Sequence, residues 1–211
     1  MNQEITIALT KGRPLVDALS LLKNIDIEPL DDIKRSRKLV FDTNHQDIKL
    51  MVLRGVDVAT YVEHGIADIG VAGRDVLLEQ GERGYYQLLD LKIGVCQMMV
   101  AELENAEAPP GRIKVATKFV NIAKRYYAEL GVQADIIKLY GAMELAPVTG
   151  LAHRIVDIVE TGNTLKANGL VTIDHIADIS SRLIVNKTSM KLKHKKIQNL
   201  VLQLSEVVEG Q

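Results

Sequence analysis

A single cysteine, Cys96, stands among 211 residues. The chain can therefore form no internal disulfide and no multi-cysteine metal site, and it suits a reducing compartment. Long apolar runs are missing too. No stretch reaches the roughly 18 residues that cross a bilayer, and Met1-Asn2-Gln3-Glu4 supplies no basic start ahead of an apolar run. The expectation is a cytoplasmic protein that does not engage a membrane. Charge of one sign is also lacking. A formal net charge of −1 draws the chain neither to nucleic acid nor to an anionic surface, so any anion site must be local. There is no Walker A sequence, no G-x-G-x-x-G and no G-x-S-x-G elbow. His45, His64, His153, His175 and His194 show no paired helical spacing that would make a metal ligand set. Spacing alone leaves a Ser-His-Asp arrangement open.

What remains is an ordinary globular composition, 47% hydrophobic and 25% charged, long enough for one or two domains with a sizeable core. Strand-like and helix-like stretches alternate. Ile5 to Leu9 reads as a strand, then Leu15, Ala18, Leu19 and Leu22 mark one helical face behind Pro14. Lys38 to Phe41 and Ile48 to Leu53 read as paired strands across the turn-rich 42–47, after a polar, basic and mobile loop carrying Lys34, Arg35, Arg37 and Lys38. Asp57 is expected to cap a helix that turns Val58, Tyr61 and Val62 to the core and stops at Gly65. Ala67 to Val71, Tyr85 to Leu91 and Ile93 to Ala101 are further strands. In the last, Cys96, Met98 and Met99 read as core filler. Residues 102–111, with Pro109-Pro110, read as a loop. The pattern then begins again with a strand at 113–116, a helix at 121–130 and a strand at 136–139. Residues 172–179 are mixed, 182–185 form a last strand, and Ile197, Leu200, Val201, Leu204, Val207 and Val208 line an amphipathic helix with Lys191, Lys193, Lys195 and Lys196 outside.

Such alternation predicts an α/β fold of right-handed crossovers with mainly parallel sheets. The restart of the pattern predicts two lobes with a cleft between them: residues 1–92 plus 178–211 as lobe I, and 93–177 as lobe II.

One stretch stands out, D-I-V-E-T-G-N-T-L-K-A-N-G-L from Asp157 to Leu170. A buried strand through Ile158 and Val159 ends in Glu160, and Thr161, Gly162, Asn163 and Thr164 turn the chain into a short helix ending before Gly169. Gly162 admits close backbone approach, the threonines add hydroxyl donors, and the helix start favours an anion. The same residues would also make an ordinary strand–turn–helix junction. Two more such junctions occur, at Thr10-Lys11-Gly12-Arg13-Pro14 and at Ala72-Gly73-Arg74-Asp75. Open α/β sheets hold ligands at the carboxyl ends of their strands, and Lys11, Arg13, Arg37 and Arg54 supply positive charge. Basic residues flanking a glycine are equally what a solvated turn looks like. Carboxylates at Asp157 and Glu160 beside an anion loop make sense for a ligand with hydroxyls as well as phosphate, which a sugar phosphate has.

Taken together, A-L-T-K-G-R at 8–13, S-R-K-L at 36–39, the R-G-x-D-V-x-x-Y-V-E-x-G-x-A-D-x-G-V-x-G-x-D run from Arg54 to Asp75, L-Y-G-A-M-E-L-A-P at 139–147 and D-I-V-E-T-G-N-T-L at 157–165 cover nearly the whole chain. In these motifs it resembles the short-form ATP phosphoribosyltransferases, which open histidine biosynthesis. The resemblance implies attack of the adenine N1 of ATP on C1 of phosphoribosyl pyrophosphate (PRPP), with Mg2+ on the departing pyrophosphate and no direct protein metal ligands. It implies a two-lobed fold similar to type II periplasmic binding proteins, with the active site in the cleft. Arg13 and Arg37, with Lys11 beside them, match the family's positions on the phosphates and leaving group. Asp157, Glu160, Thr161, Gly162, Asn163, Thr164 and Leu165, with Glu144, match its PRPP positions, and Lys11, Arg13, Arg54, Gly73 and Asp75 its ATP side.

The same resemblance implies a homodimer when alone and a histidyl-tRNA synthetase-like regulatory subunit in a hetero-octamer. The long-form histidine-binding domain is not expected here. A non-catalytic two-lobed protein that binds or senses a small anion is the competing reading, and a nucleotide-to-product assay separates the two.

Overall fold

Apolar residues on both faces make Ile5–Thr10 (β1) a central strand, with Ile5, Ile7 and Leu9 turned to one core and Ala8 to another. The structure is a computed structural model that describes residues 4–81, 83–107 and 111–210. After β1 come Arg13–Asn24 (α1), Val40–Asp42 (β2), Ile48–Leu53 (β3), Gly55–Glu63 (α2), Ile69–Gly73 (β4), Arg74–Gln80 (α3) and Tyr85–Asp90 (β5). Then follow Cys96–Leu103 (β6), Ile113–Thr117 (β7), Val120–Glu129 (α4), Ala134–Lys138 (β8), Leu145–Val148 (α5), Arg154–Val159 (β9), Asn163–Ala167 (α6) and Leu170–Ile179 (β10). Ser181–Asn186 (β11), Lys187–Leu192 (α7) and His194–Glu209 (α8) complete the chain.

The chain divides into two units. The first comprises Met1–Leu77, Gly81–Gly94 and Ser180–Gln211, the second Leu78–Gln80 and Val95–Ile179. The changes of unit at Gly94/Val95 and Ile179/Ser180 lie two residues beyond the 92/93 and 177/178 boundaries expected from sequence, and the end of α3 goes with the second unit.

The first unit holds a six-stranded sheet in the order β2-β3-β1-β4-β11-β5. Its centre, β3-β1-β4, is parallel, and its flanks are antiparallel. On one face α1 and α8 bury Leu15, Leu21, Leu22, Ile197, Leu200 and Leu204 against Ile7, Leu9, Ile69 and Val71. On the other, α2 lays Val58, Ala59 and Val62 against Ala8, Ala72 and Ile184. That second contact is close. A Cβ at Gly70 would sit 2.7 Å from Val62 Cγ2 and 2.9 Å from Val58 Cγ1, so β4 carries a glycine where α2 presses on it.

The second unit holds a five-stranded sheet, β10-β6-β9-β7-β8, with β9-β7-β8 parallel at one end, so both sheets are mixed rather than mainly parallel. Here β6 and β10 are antiparallel. Val115, Phe119, Ile122 and Tyr127 fill one core, and Ala116, Met143, Ala146 and Leu165 the other. The Glu79 carboxylate accepts the N–H groups of Asn121 and Ile122 at 3.0 Å, supplying the cap that α4 lacks from its own N-cap residue, Phe119.

Several local expectations change. Asp57 does not cap α2, which begins at Gly55 and leaves Asp57 in its first turn, and Tyr61 is 38% exposed rather than in the core. Residues 172–179 belong to a full strand. Its alternation is broken by register shifts between Thr172 and Asp174 and between His175 and Ala177, and bulges of that kind hide a strand from a period-two reading. Glu102 and Leu103 extend β6 instead of starting the loop, while Pro109-Pro110 lie outside the described residues. Cys96 is half-buried. The polar loop before β2 is partly paired, through Leu30 N–H on the Asp42 carbonyl and a bridge between Pro29 and Thr43. Two of the lysines assigned to a solvated helix face are engaged. Lys193 Nζ reaches both Asp68 oxygens, at 2.8 and 2.9 Å, and the Glu4 carbonyl, and Lys196 pairs with Asp47.

Asn186 closes the first unit. It is 5% exposed. Its Nδ2 donates to the Val62 and Glu63 carbonyls at the end of α2, at 2.8 and 3.2 Å, and its Oδ1 accepts the Thr188 and Ser189 N–H groups that open α7, both at 2.9 Å. One side chain thus satisfies the end of one helix and the start of another. Asn186→Ala should destabilise the protein by about 2 to 4 kcal/mol, the loss of a cap plus the buried hydrogen bonds to the end of α2. Urea unfolding followed by circular dichroism measures it, and a change below about 0.5 kcal/mol would contradict the assignment.

Candidate active site

Parallel strands paired in register end together. Thr10 lies opposite Leu53, and Leu9 opposite Val71, so the turns that leave β1, β3 and β4 share one edge of the first sheet. Thr10 ties them: its Oγ1 donates to the Val71 carbonyl at 2.9 Å, and its Cγ2 would lie 3.1 Å from a Cβ at Gly55. The Lys11 N–H donates to the Leu53 carbonyl at 2.7 Å. Lys11, Gly12 and Arg13 follow, all exposed. Gly12 has φ 108°, which a side chain would strain, and Pro14 starts α1 without needing a donor.

Arg54, exposed, precedes α2 at the end of β3. Arg37 comes to the same edge by another route. Val52, one residue from the end of β3, donates its N–H to the Leu39 carbonyl, so the loop bearing Arg37 enters β2 alongside the end of β3. Its neighbour Lys38 donates to Asp31 at 2.6 Å, and that hydrogen bond and charge raise the lysine's pKa. Arg37 itself is exposed. At the end of β4, Gly73 is held tightly: a Cβ there would meet Asp75 Oδ1 at 2.2 Å. The Asp75 carboxylate is folded back over its own turn, in the first turn of α3.

The second sheet gathers its turns in the same manner. Thr117 lies opposite Lys138 on one side and Val156 on the other. Fully buried, Thr117 donates its hydroxyl to the Val156 carbonyl at 2.6 Å and accepts the Phe119 N–H at 2.9 Å. At this edge stand Lys118, the 139–144 segment and the 160–165 turn. Asp157 is half-buried, with its Oδ1 accepting the Ile158 N–H at 2.8 Å and lying 3.6 Å from Lys118 Nζ. Glu160 and Thr161 are exposed. Gly162 adopts φ 71°, and Thr161 Oγ1 accepts the Asn163 N–H at 3.5 Å, the outer limit of a hydrogen bond.

Asn163 and Thr164 are exposed at the start of α6, while the Leu165 side chain is 6% exposed and packs in the core below. Leu165 therefore anchors the turn. With five residues, α6 builds little macrodipole, so the anion affinity expected from the helix falls to the backbone N–H groups and hydroxyls of the turn. Glu144, half-buried, precedes α5.

The sequence-predicted residues thus fall into two groups by unit: Lys11, Arg13, Arg37, Arg54, Gly73 and Asp75 in the first, Glu144 and Asp157 to Leu165 in the second. Lys118, not among the residues expected from sequence, stands directly after β7 at this edge, beside the strand that runs into the 160–165 turn. Among the described residues no three His, Cys, Asp or Glu side chains gather to hold a metal, and no helix is long and apolar enough to cross a membrane.

A family model described as ATP phosphoribosyltransferase matches residues 54–206. An ATP phosphoribosyltransferase of Hahella chejuensis is 62% identical over 99% of both chains, and one of Saccharophagus degradans is 60% identical over 97% of this chain and 96% of that one. Among solved structures, the ATP phosphoribosyl transferase (HisG:HisZ) complex from Thermotoga maritima contains a chain 36% identical, with a TM-score of 0.86 over 98% of this chain and 100% of that one. The periplasmic aliphatic sulphonate binding protein SsuA of Escherichia coli is 14% identical with a TM-score of 0.62, covering 99% of this chain and 69% of that one. That last likeness is one of fold.

Gly162→Ala isolates the backbone of the anion turn. A Cβ there would approach nothing nearer than Val159 Cγ1 at 3.9 Å, so the cost is that of φ 71° alone, about 1 kcal/mol. Thermal unfolding should record that loss. A variant as stable as the parent would show that the turn relaxes to another conformation.

Proposed function

The chain belongs to the ATP phosphoribosyltransferase family, and from that premise we propose how its residues divide the work of the reaction. The activity is that of a glycosyltransferase: the phosphoribosyl group of PRPP passes to N1 of the adenine of ATP and pyrophosphate leaves, the first step of histidine biosynthesis. The attacking ring nitrogen carries its own lone pair, so the step calls for no nucleophile or general base from the protein. Charge develops on the departing pyrophosphate while the ribose approaches an oxocarbenium ion. Positioning and fixed positive charge are what such a reaction needs.

Arg13 and Arg37, with Lys11, take the phosphates of the leaving group. What supports this is the in-register ending of β1 and β3, which sets Lys11, Arg13 and Arg54 in exposed turns at one sheet edge, with Arg37 exposed in the loop that enters β2 alongside β3. Arginine forks match phosphate oxygens in pairs. Arg54, Gly73 and Asp75, with Lys11 and Arg13, form the ATP side. In the second unit the backbone and hydroxyls of Thr161 to Thr164 receive the 5-phosphate, and Asp157 and Glu144, with Glu160 beside them, receive ribose hydroxyls. Leu165 holds this loop from beneath. A Mg2+ ion carried by PRPP would supply positive charge to the pyrophosphate, with no direct protein ligand.

A histidyl-tRNA synthetase-like regulatory subunit is the partner, by analogy with the Thermotoga maritima complex, in a hetero-octamer built on a catalytic homodimer. The setting is cytoplasmic.

Incubation with ATP, PRPP and Mg2+ should raise the absorbance of the N1-substituted adenine. No product, with or without a regulatory subunit, would overturn the reading in favour of a non-catalytic anion binder. Arg37→Ala should lower the single-turnover rate by about 100-fold or more, as removal of one preorganised donor does elsewhere, and an unchanged rate would remove Arg37 from the leaving-group site. Thr161→Ala and Thr164→Ala should each weaken PRPP binding by about 1 to 3 kcal/mol, which calorimetry measures. Unaltered affinity would make the loop purely structural.

A further inference from the structure

We propose that Lys118 is a substrate-binding residue, acting with Asp157 as a side-by-side donor and acceptor for one hydroxyl of the ribose of PRPP. The inference rests on the reading above that the second unit's loop holds the sugar phosphate. Lys118 leaves the end of β7 at the edge where β9 runs into the anion turn. Its position is well fixed. Thr117, fully buried, ties the preceding residue to Val156 and the following N–H to its own hydroxyl, and the Leu139 N–H donates to the Thr117 carbonyl at 3.0 Å. The lysine ammonium lies 4.8 Å from the centre of the Phe119 ring, which is 4% exposed and steers the side chain.

The spacing of the pair carries the argument. Lys118 Nζ and Asp157 Oδ1 are 3.6 Å apart, with side chains 43% and 23% exposed. That is beyond hydrogen-bond contact, and an ion pair so accessible to solvent contributes little to stability. The ammonium keeps donor protons and the carboxylate keeps lone pairs, both available at the rim. A hydroxyl has a proton to give and lone pairs to receive one, so one sugar hydroxyl can donate to Asp157 and accept from Lys118 at once. A phosphate oxygen meets the lysine but is repelled by the carboxylate. The pair is therefore suited to the sugar's hydroxyls and leaves the phosphate to the Thr161–Thr164 turn. It also sets a positive charge beside Asp157, whose carboxylate alone would oppose an anionic substrate.

The test compares binding of ribose 5-phosphate with its 2-deoxy and 3-deoxy analogues, by calorimetry, in the full-length parent and in Lys118→Met and Lys118→Arg. The parent should prefer ribose 5-phosphate over at least one analogue by about tenfold or more. Lys118→Met should bring that ratio close to one with little change in Tm, and Lys118→Arg should restore part of it. A merely structural lysine would move the Tm and leave the ratios alone. Parental ratios retained in Lys118→Met, or no discrimination in the parent, would overturn the inference while PRPP still binds. Failure of the parent to bind PRPP would instead sink the loop assignment on which it stands.

Discussion

In-register parallel pairing is the constraint on which the site depends. When β1 ends level with β3, and β7 level with β8, each sheet presents its strand-to-helix turns along one edge, and residues far apart in sequence become neighbours. The loop that carries Arg37 is tied to the end of β3, just before Arg54, by the Val52 to Leu39 hydrogen bond. Asp157 and Lys118 belong to neighbouring strands and meet because Thr117 faces Val156. The chemistry is therefore a consequence of register, and a one-residue slip would scatter it.

Register in turn is held by a few buried and half-buried polar groups. Thr10 and Thr117 perform the same task in the two sheets, each donating its hydroxyl to a carbonyl of the adjacent strand, at 2.9 and 2.6 Å. Asp68 and Asn186 secure the return of the chain. Asp68 accepts the Thr6 N–H and the Lys193 ammonium, and Asn186 joins α2 to α7. Such groups are costly to bury unless fully met, and the buried Thr117, Asp68 and Asn186 each have several partners.

Much of this was legible in the sequence. The period-two run of β1, the helical face of α1 and the glycine-containing turns follow from local chemistry, and the placing of ligand residues at strand ends follows from fold class. What escaped has physical reasons. The alternation of β10 is interrupted by two bulges, so no single period describes it. Asp57 looks like a cap because it is an aspartate before an apolar run, but the helix begins two residues earlier, at Gly55. Lys193 resembles a solvated lysine, and only the tertiary fold brings Asp68 to it. Lys118 went unnoticed for the same reason, since its partner is 39 positions away in sequence, as are the Thr117 and Val156 that align them.

The central claim is a division of labour, with the first unit's turns taking the pyrophosphate and the second unit's loop the ribose 5-phosphate. It is tested most directly by titrating pyrophosphate and ribose 5-phosphate separately into Arg13→Ala and Thr164→Ala. Arg13→Ala should weaken pyrophosphate alone, and Thr164→Ala ribose 5-phosphate alone, each by about tenfold or more. If either substitution weakens both ligands equally, the division does not exist.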